Sequence, residues 1–198
     1  MSLAVQGSLF DHSERRYLGD GAWIDVRAGW LGEDDRLFDE LLTAIPWRAE
    51  RRQMYDRVLD VPRLVSFHDL ATDAAPHPGI ARLRVRLNDI YAGELGERFT
   101  TAGLCLYRGG DDSVAWHGDT VGRSSTDDTM VAIVSLGARR VFAMRPRSGG
   151  RSLRLPQAHG DLLVMGGSCQ RTWEHAVPKT ARAIGPRISI QFRPRDVR

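Results

Sequence analysis

The residues whose types and spacing point most clearly to chemistry are two histidines and an aspartate in the C-terminal half of the chain. His117, Gly118 and Asp119 follow one another, and His175 lies further along in the run TWEHAV. Side chains two residues apart on a β-strand point the same way, so His117 and Asp119 can share one metal ion. Two imidazoles and one carboxylate leave half of an octahedron open, which suits Fe(II) with a bidentate cosubstrate and O2. We therefore predict that His117, Asp119 and His175 are the iron ligands and the catalytic residues.

A second pattern with chemical meaning is the segment PRISIQFR near the end of the chain. On a β-strand, Arg187, Ser189, Gln191 and Arg193 would share one face, because side chains alternate with a period of two. A guanidinium buried in a β core needs an anionic partner to offset the loss of its hydration. The distal carboxylate of 2-oxoglutarate would supply that anion, with Arg187 as the fork that binds it.

Two amphipathic helices are predicted in the N-terminal half of the chain. Segment 33–45 has apolar residues at helical spacing and acidic residues in its first turn. Segment 78–95 begins with a proline and carries a second apolar stripe. Residues 1–20 show no such pattern, and we expect a loosely ordered arm there. Residues 46–74 also lack a long period.

The character of the sequence changes at residue 101, where short apolar or alternating runs begin. Turn-forming residues separate these runs, which are AGLCLYR, SVAWH, MVAIVSLG, RRVFAMR, SLRLP, DLLVMGG, TWEHAV and RISIQFR. Many short strands without intervening helices indicate an antiparallel sandwich or barrel. The pattern predicts an α+β protein with a jelly-roll core over 101–195 and the N-terminal helices packed on one sheet. We expect a single domain over 21–198.

Composition limits the classes of protein that are compatible with this chain. With 42% hydrophobic and 27% charged residues it is globular, and Cys105 and Cys169 are too few for a disulfide framework or a cysteine-rich zinc site. No apolar run approaches the roughly 18 residues of a membrane span, and the N-terminus becomes polar too early for a secretory signal. We expect a cytoplasmic protein. The net charge of +3, carried almost wholly by arginine, permits phosphate binding without indicating it.

Taken together, these motifs resemble the AlkB family of nucleic-acid dealkylases over roughly residues 45–195. The segments that carry the resemblance are PRLVSF, LYRGGDDSVAWHGD, MVAIVSLGARRVFAMR, HGDLLVMGG, TWEHAVPK and PRISIQFR. Their order is most similar to the eukaryotic DNA-repair members and their bacterial relatives. The resemblance implies a double-stranded β-helix core and oxidative removal of N-methyl or etheno groups from bases. Fe(II), 2-oxoglutarate and O2 would be required, and the substrate would be DNA, single- or double-stranded, or RNA.

The resemblance also implies roles for individual residues. His117, Asp119 and His175 would bind iron, and Arg187 would bind the distal carboxylate of 2-oxoglutarate. The other cosubstrate residues would be Tyr107, Ser189 and Arg193. A substrate lid would cover residues 46–74. Because a base must leave its stack to reach a buried metal, candidate substrate contacts are aromatic or basic: Tyr55, Arg63, Phe67, Arg145 and Trp173. Trp116, which would point away from the metal, is predicted to lie in the core.

Three positions depart from the family's pattern. Cys105 and Ser189 stand where the family usually has asparagine, and Val121 stands where repair members often carry an acidic residue. The first two bear on cosubstrate binding, and the third bears on substrate range. We expect a monomer, because the enzyme would have to bind around a polymeric substrate.

Three alternatives use the same residues. A 2-oxoglutarate-dependent hydroxylase of a small molecule would share every metal and cosubstrate residue, but it would need no phosphate-binding lid. A zinc hydrolase would use the same three ligands, although hydrolysis does not need the dicarboxylate clamp that Arg187 and Arg193 predict. An inactive, binding-only protein is the third alternative, because of the Cys105 and Val121 departures.

Overall fold

The computed structural model describes residues 13–32, 36–54 and 57–197. The strands in these ranges are β1 (Ser13–Gly19), β2 (Ala22–Arg27), β3 (Arg48–Met54), β4 (Arg57–Asp69), β5 (Thr101–Tyr107), β6 (Val114–His117), β7 (Val131–Gly137), β8 (Arg140–Pro146), β9 (Leu153–Gln157), β10 (Leu162–Gly167), β11 (Trp173–Val177) and β12 (Arg187–Arg193). The helices are α1 (Arg36–Ala44), α2 (Pro78–Leu95) and the single turn α3 (Cys169–Thr172). None of the described helices combines the length and apolar character needed to span a bilayer.

The strands form two antiparallel sheets. The large sheet has the order β1-β2-β10-β7-β12-β5-β4-β3, and the small sheet has the order β6-β11-β8-β9. Neighbours in space are mostly distant in sequence, as in a jelly roll. The predicted α+β class with a jelly-roll core is confirmed, and each of the eight runs predicted after residue 101 contains a strand.

The central strands of the large sheet are buried on both faces, and their side chains alternate between two cores. In β7, Ala132, Val134 and Leu136 pack toward the helices, whereas Val131 and Ile133 pack into the space between the sheets. This division follows from the period-two geometry of a strand. The core on the helix side provides apolar packing, which leaves the space between the sheets for polar chemistry.

Helix α2 spans the 78–95 segment that the sequence predicts. His77 caps its N-terminus by accepting a hydrogen bond at Nδ1 from the Gly79 N–H at 3.1 Å, and Pro78 occupies the first turn. Gly96 ends the helix with φ of 76°, a left-handed conformation that glycine adopts without strain. Helix α1 lies within the predicted segment 33–45, of which 33–35 fall outside the described residues.

Two predictions for the N-terminal region are wrong. Residues 13–19 form β1, which pairs with β2, whereas a loose arm was expected over 1–20; residues 1–12 of that arm lie outside the described residues. Asp20 and Gly21 both have positive φ (52° and 78°), as a tight hairpin turn requires. In addition, β1 to β4 all join the large sheet, so the β core is not confined to 101–195. The edge strands β1 and β3 carry several charged residues and lack the clear alternation that would have revealed them.

Replacing Leu87 with alanine should destabilise the fold because Leu87 is fully buried on α2 against the large sheet. We expect the free energy of unfolding, measured by urea denaturation, to fall by about 2–5 kcal/mol. Val85 on the same helix is 54% exposed, and Val85→Ala should change the value by less than about 0.5 kcal/mol. Equal losses in the two variants would contradict this packing.

Candidate metal and cosubstrate site

The three predicted metal ligands come together between the two sheets. His117 ends β6 and faces His175 of β11 as a direct cross-strand partner, with ring centroids 4.3 Å apart. Asp119 lies two residues beyond β6. One ligand atom from each side chain lies within 4.8 Å of the others. This cluster is close enough to bind a single ion.

The surroundings of His175 and His117 prepare each ring to offer a nitrogen to a metal. Burial, together with the nearby His117, lowers the pKa of His175 to about 3, so its imidazole is uncharged near neutral pH. The His175 ring stacks on Phe142, with centroids 5.2 Å apart. His117 donates through Nδ1 to the carbonyl of Ala115 at 2.8 Å, which leaves Nε2 for a metal.

Asp119 is held as a buried carboxylate. Burial alone would raise its pKa, but the opposing charge of Arg193 and the neighbouring histidines bring the pKa of Asp119 down to about 2. Arg193 donates through Nε to Oδ2 at 2.7 Å. The backbone N–H of Asp119 donates to Oε1 of Gln170 at 3.0 Å. These contacts fix both the charge and the orientation of the ligand.

Gly118 allows the two ligands that flank it to approach the rest of the site. A Cβ atom at this position would lie 2.5 Å from the carbonyl oxygen of Gln170 and 3.2 Å from that of Trp173. It would also lie 2.8 Å from Nη2 of Arg147. Because two of these neighbours are backbone atoms, only glycine fits without a shift of the chain.

Arg187 provides the observation that tests whether 2-oxoglutarate fits. The residue is fully buried, and its Nη2 donates to Oγ of Ser135 at 2.8 Å. Nε and Nη1 are also buried, yet they have no hydrogen-bond partner among the described residues. Burial lowers the pKa of Arg187, and an unpaired guanidinium in this position is costly. A carboxylate would supply an anionic acceptor to these two nitrogens, so the residues present fit a dicarboxylate cosubstrate.

The remaining cosubstrate residues lie on the same interior face. Tyr107 is buried with its ring 5.4 Å from the guanidinium carbon of Arg187, and burial raises the pKa of its phenol, which therefore stays protonated. Ser189 and Cys105 are cross-strand partners, and both are buried. The two departures from the family's asparagines thus meet at one place in the sheet. Val121, the third departure, is 65% exposed.

Those of the predicted substrate residues that the structure describes do not form one cluster. Phe67 is 52% exposed on β4, opposite Gly103, and Arg63 donates to the carbonyl of Ser113 at 3.5 Å. Trp173 is buried between the sheets, on the side of His175 as predicted. Tyr55 lies outside the described residues.

Arg145 and Trp116 lie on the outer face of the small sheet. The Arg145 guanidinium lies 4.4 Å from the centroid of the Trp116 ring and donates to Glu174 at 2.7 and 2.9 Å. The prediction that Trp116 is a core residue is wrong: β6 is an edge strand, and Trp116 is 36% exposed. Arg145 therefore faces away from the metal ligands, and its predicted contact with a base is not supported.

Three residues that support the site were not assigned a role from the sequence. Phe142 packs on His175, and Gln170 accepts from the backbone of Asp119. No local pattern reveals either of these contacts, because they join elements that are far apart in the sequence. Gln191 was detectable, since it shares the face of Arg187 by period two.

The chain belongs to the 2OG-Fe(II) oxygenase superfamily, which residues 32–193 match. Its fold is similar to a crystal structure of a 2OG-Fe(II) oxygenase family oxidoreductase from Burkholderia pseudomallei, with a TM-score of 0.59, 16% identity, and coverage of 88% of this chain and 86% of that one. It is also similar to the structure of OsALKBH1, with a TM-score of 0.56, 14% identity, and coverage of 91% of this chain and all of the other.

Curated relatives confirm the resemblance to the AlkB family. The chain is 30% identical to human alpha-ketoglutarate-dependent dioxygenase alkB homolog 3, over 86% of this chain and 63% of the relative. It is 29% identical to human DNA oxidative demethylase ALKBH2, over 87% of this chain and 76% of the relative. The bovine alkB homolog 3 is matched at 30% identity over 82% of this chain and 62% of its own length. The chain thus spans a little over three fifths of the homolog 3 relatives.

Gly118→Ala should weaken metal binding because the added methyl group forces His117 and Asp119 away from the Gln170 and Trp173 carbonyls. We expect the dissociation constant for Mn(II), measured by titration, to rise about tenfold or more, as for other changes that disturb ligand orientation. Gly93→Ala is the matched control, since a Cβ there has no neighbour within 4 Å. Unchanged Mn(II) affinity in the Gly118→Ala variant would contradict the requirement for glycine at this position.

Proposed function

We propose that this protein is an Fe(II)- and 2-oxoglutarate-dependent dioxygenase that oxidatively removes alkyl groups from nucleic-acid bases. The observation that carries the proposal is the combination of the three-ligand cluster with Arg187. A metal site alone is compatible with hydrolysis, whereas a buried guanidinium with two unsatisfied nitrogens calls for a carboxylate. That combination is the requirement of a 2-oxoglutarate oxygenase.

The residues of this chain would divide the work between holding the metal and binding the cosubstrate. His117, Asp119 and His175 would hold the iron from one side, with Arg193 keeping Asp119 in place. Arg187 would bind the distal carboxylate and so align the cosubstrate with the metal. When bound, the iron and its cosubstrate supply oxidation of a carbon attached to nitrogen, with O2 consumed and succinate and CO2 released. The buried walls around His175 would keep bulk water away.

The proposal of a nucleic-acid substrate is supported by the relatives, of which one is named as a DNA oxidative demethylase. The target base would have to leave its stack to reach a metal between two sheets. Phe67 is a candidate for stacking on that base, because it is half exposed on β4, which lies two strands from β12 in the large sheet. Tyr55, Arg63 and Trp173 stay predicted substrate contacts, and we propose DNA rather than RNA as the main substrate.

Arg187→Met should separate cosubstrate binding from metal binding. Because the charge-assisted hydrogen bonds to the distal carboxylate would be lost, we expect the KM for 2-oxoglutarate to rise by about tenfold to a hundredfold. The affinity for Mn(II) should change little, since the hydrogen bond of Arg187 goes to Ser135 and not to any of the three ligands. Arg98→Met, at an exposed arginine, is the matched control and should leave both values unchanged. An unaltered KM in Arg187→Met would remove Arg187 from the cosubstrate site.

The proposed reaction is tested with an oligonucleotide containing 1-methyladenine, together with Fe(II), ascorbate and 2-oxoglutarate. Release of succinate and formaldehyde in equal amounts is expected from the natural protein, and none is expected from His175→Ala, which lacks a metal ligand.

The pattern of products distinguishes the ways in which the proposal can fail. Succinate without base repair would support the oxygenase activity but show that the substrate is a different lesion or a small molecule. Absence of succinate from protein that binds iron would contradict 2-oxoglutarate chemistry. Product formation that persists in His175→Ala would contradict the assignment of the metal site.

A further inference from the structure

We infer that Gln191 is a positioning residue of the metal site, and that it acts by orienting Arg193 against Asp119. The Gln191 amide forms hydrogen bonds through both its nitrogen and its oxygen. Its Nε2 donates to Oγ of Ser189 at 3.2 Å and to Sγ of Cys105 at 3.4 Å. Its Oε1 accepts from Nη2 of Arg193 at 3.2 Å. The inference rests on the metal site of the proposed function.

Arg193 transmits this contact to the metal ligand. Its Nε donates to Oδ2 of Asp119 at 2.7 Å, and the side chain is only 11% exposed. A guanidinium is planar, so contacts at Nε and Nη2 together fix its plane, whereas a contact at Nε alone leaves it free to rotate. Gln191 supplies the second of these two contacts. The direction in which Asp119 presents its other oxygen therefore depends on the Gln191 amide.

The neighbouring positions in the sheet are small enough to accommodate this arrangement. Gly103 is the cross-strand partner of Gln191 on β5. A Cβ at Gly103 would lie 3.2 Å from Nη1 of Arg193 and 3.4 Å from Oε1 of Gln191, so a side chain there would crowd both groups. Glycine at this position leaves room for a long amide and a guanidinium to lie side by side.

The same contacts account for the unusual pair Cys105 and Ser189. These two residues face each other across β5 and β12, and both are small. The Gln191 amide reaches both of them and satisfies the Ser189 hydroxyl with a donor. In this chain, one longer amide from β12 thus provides the polar bridge between the two strands beside the cosubstrate arginine.

Gln191→Met tests the inference, because methionine keeps the length of the side chain but removes the amide. We expect the dissociation constant for Co(II) to rise about tenfold, the lower end of the effect of outer-shell changes at metal sites. The absorption spectrum of bound Co(II) should also change, since it reports ligand geometry and needs no turnover. Ile190→Val is the matched control, because Ile190 is the next residue on β12 and faces the opposite core.

A double-mutant cycle with Arg193→Met then asks whether Gln191 acts through Arg193. If it does, adding Gln191→Met to Arg193→Met should change Co(II) affinity by less than about twofold. Effects that multiply independently, or a Gln191→Met spectrum and affinity equal to those of the natural protein, would overturn the inference while leaving the proposed function intact. Failure of the natural protein to bind Co(II) would overturn both.

Discussion

A carboxylate held by a guanidinium in the space between two sheets is the interaction on which the site depends. Taking Asp119 and Arg193 out of water carries a large desolvation cost, which their 2.7 Å contact must offset. The same contact keeps Asp119 ionised, with its pKa lowered to about 2, and fixes which way it points. Removing either partner would leave a buried charge without compensation. The Asp119–Arg193 pair therefore matters both for metal binding and for the stability of the surrounding structure.

Strand β12 shows how one short segment serves both purposes. Ile188, Ile190 and Phe192 pack into the core on the helix side of the large sheet. The alternate residues face the other way and carry Arg187 at one end and Arg193 at the other. Because the alternation is strict, a shift of one residue in register would exchange the two faces. The pairing of β12 with β5 and β7 thus fixes the positions of both arginines relative to the metal ligands.

Much of this arrangement was predictable from periodicity and residue type. The strands after residue 101, the bounds of α2, the cluster of His117, Asp119 and His175, and the shared face of Arg187 and Arg193 all follow from local rules. The edge strands β1 and β3 were missed because their charged sequences lack an alternating apolar pattern. Only the Gly19-Asp20-Gly21 turn signalled the first hairpin. A monomeric state and a cytoplasmic location stay predictions.

Contacts between elements that are far apart in the sequence could not be predicted. The stacking of Phe142 on His175 and the bond from Asp119 to Gln170 join parts of the chain with no common pattern. Exposure of Trp116 depends on β6 being the edge of the small sheet, which is a property of topology and not of the residue. The two unsatisfied nitrogens of Arg187 likewise emerge only when every neighbour is in place.

The measurement that tests the central claim most directly is an anaerobic titration of the Fe(II)-loaded protein with 2-oxoglutarate and, separately, with 2-oxobutyrate. A 2-oxo acid that chelates Fe(II) through its keto and carboxylate oxygens gives a visible charge-transfer band. Our account predicts this band at one equivalent of 2-oxoglutarate and at least about tenfold weaker binding of 2-oxobutyrate, which lacks the carboxylate that Arg187 would bind. Equal affinity for the two acids, or no band with either, would contradict the account.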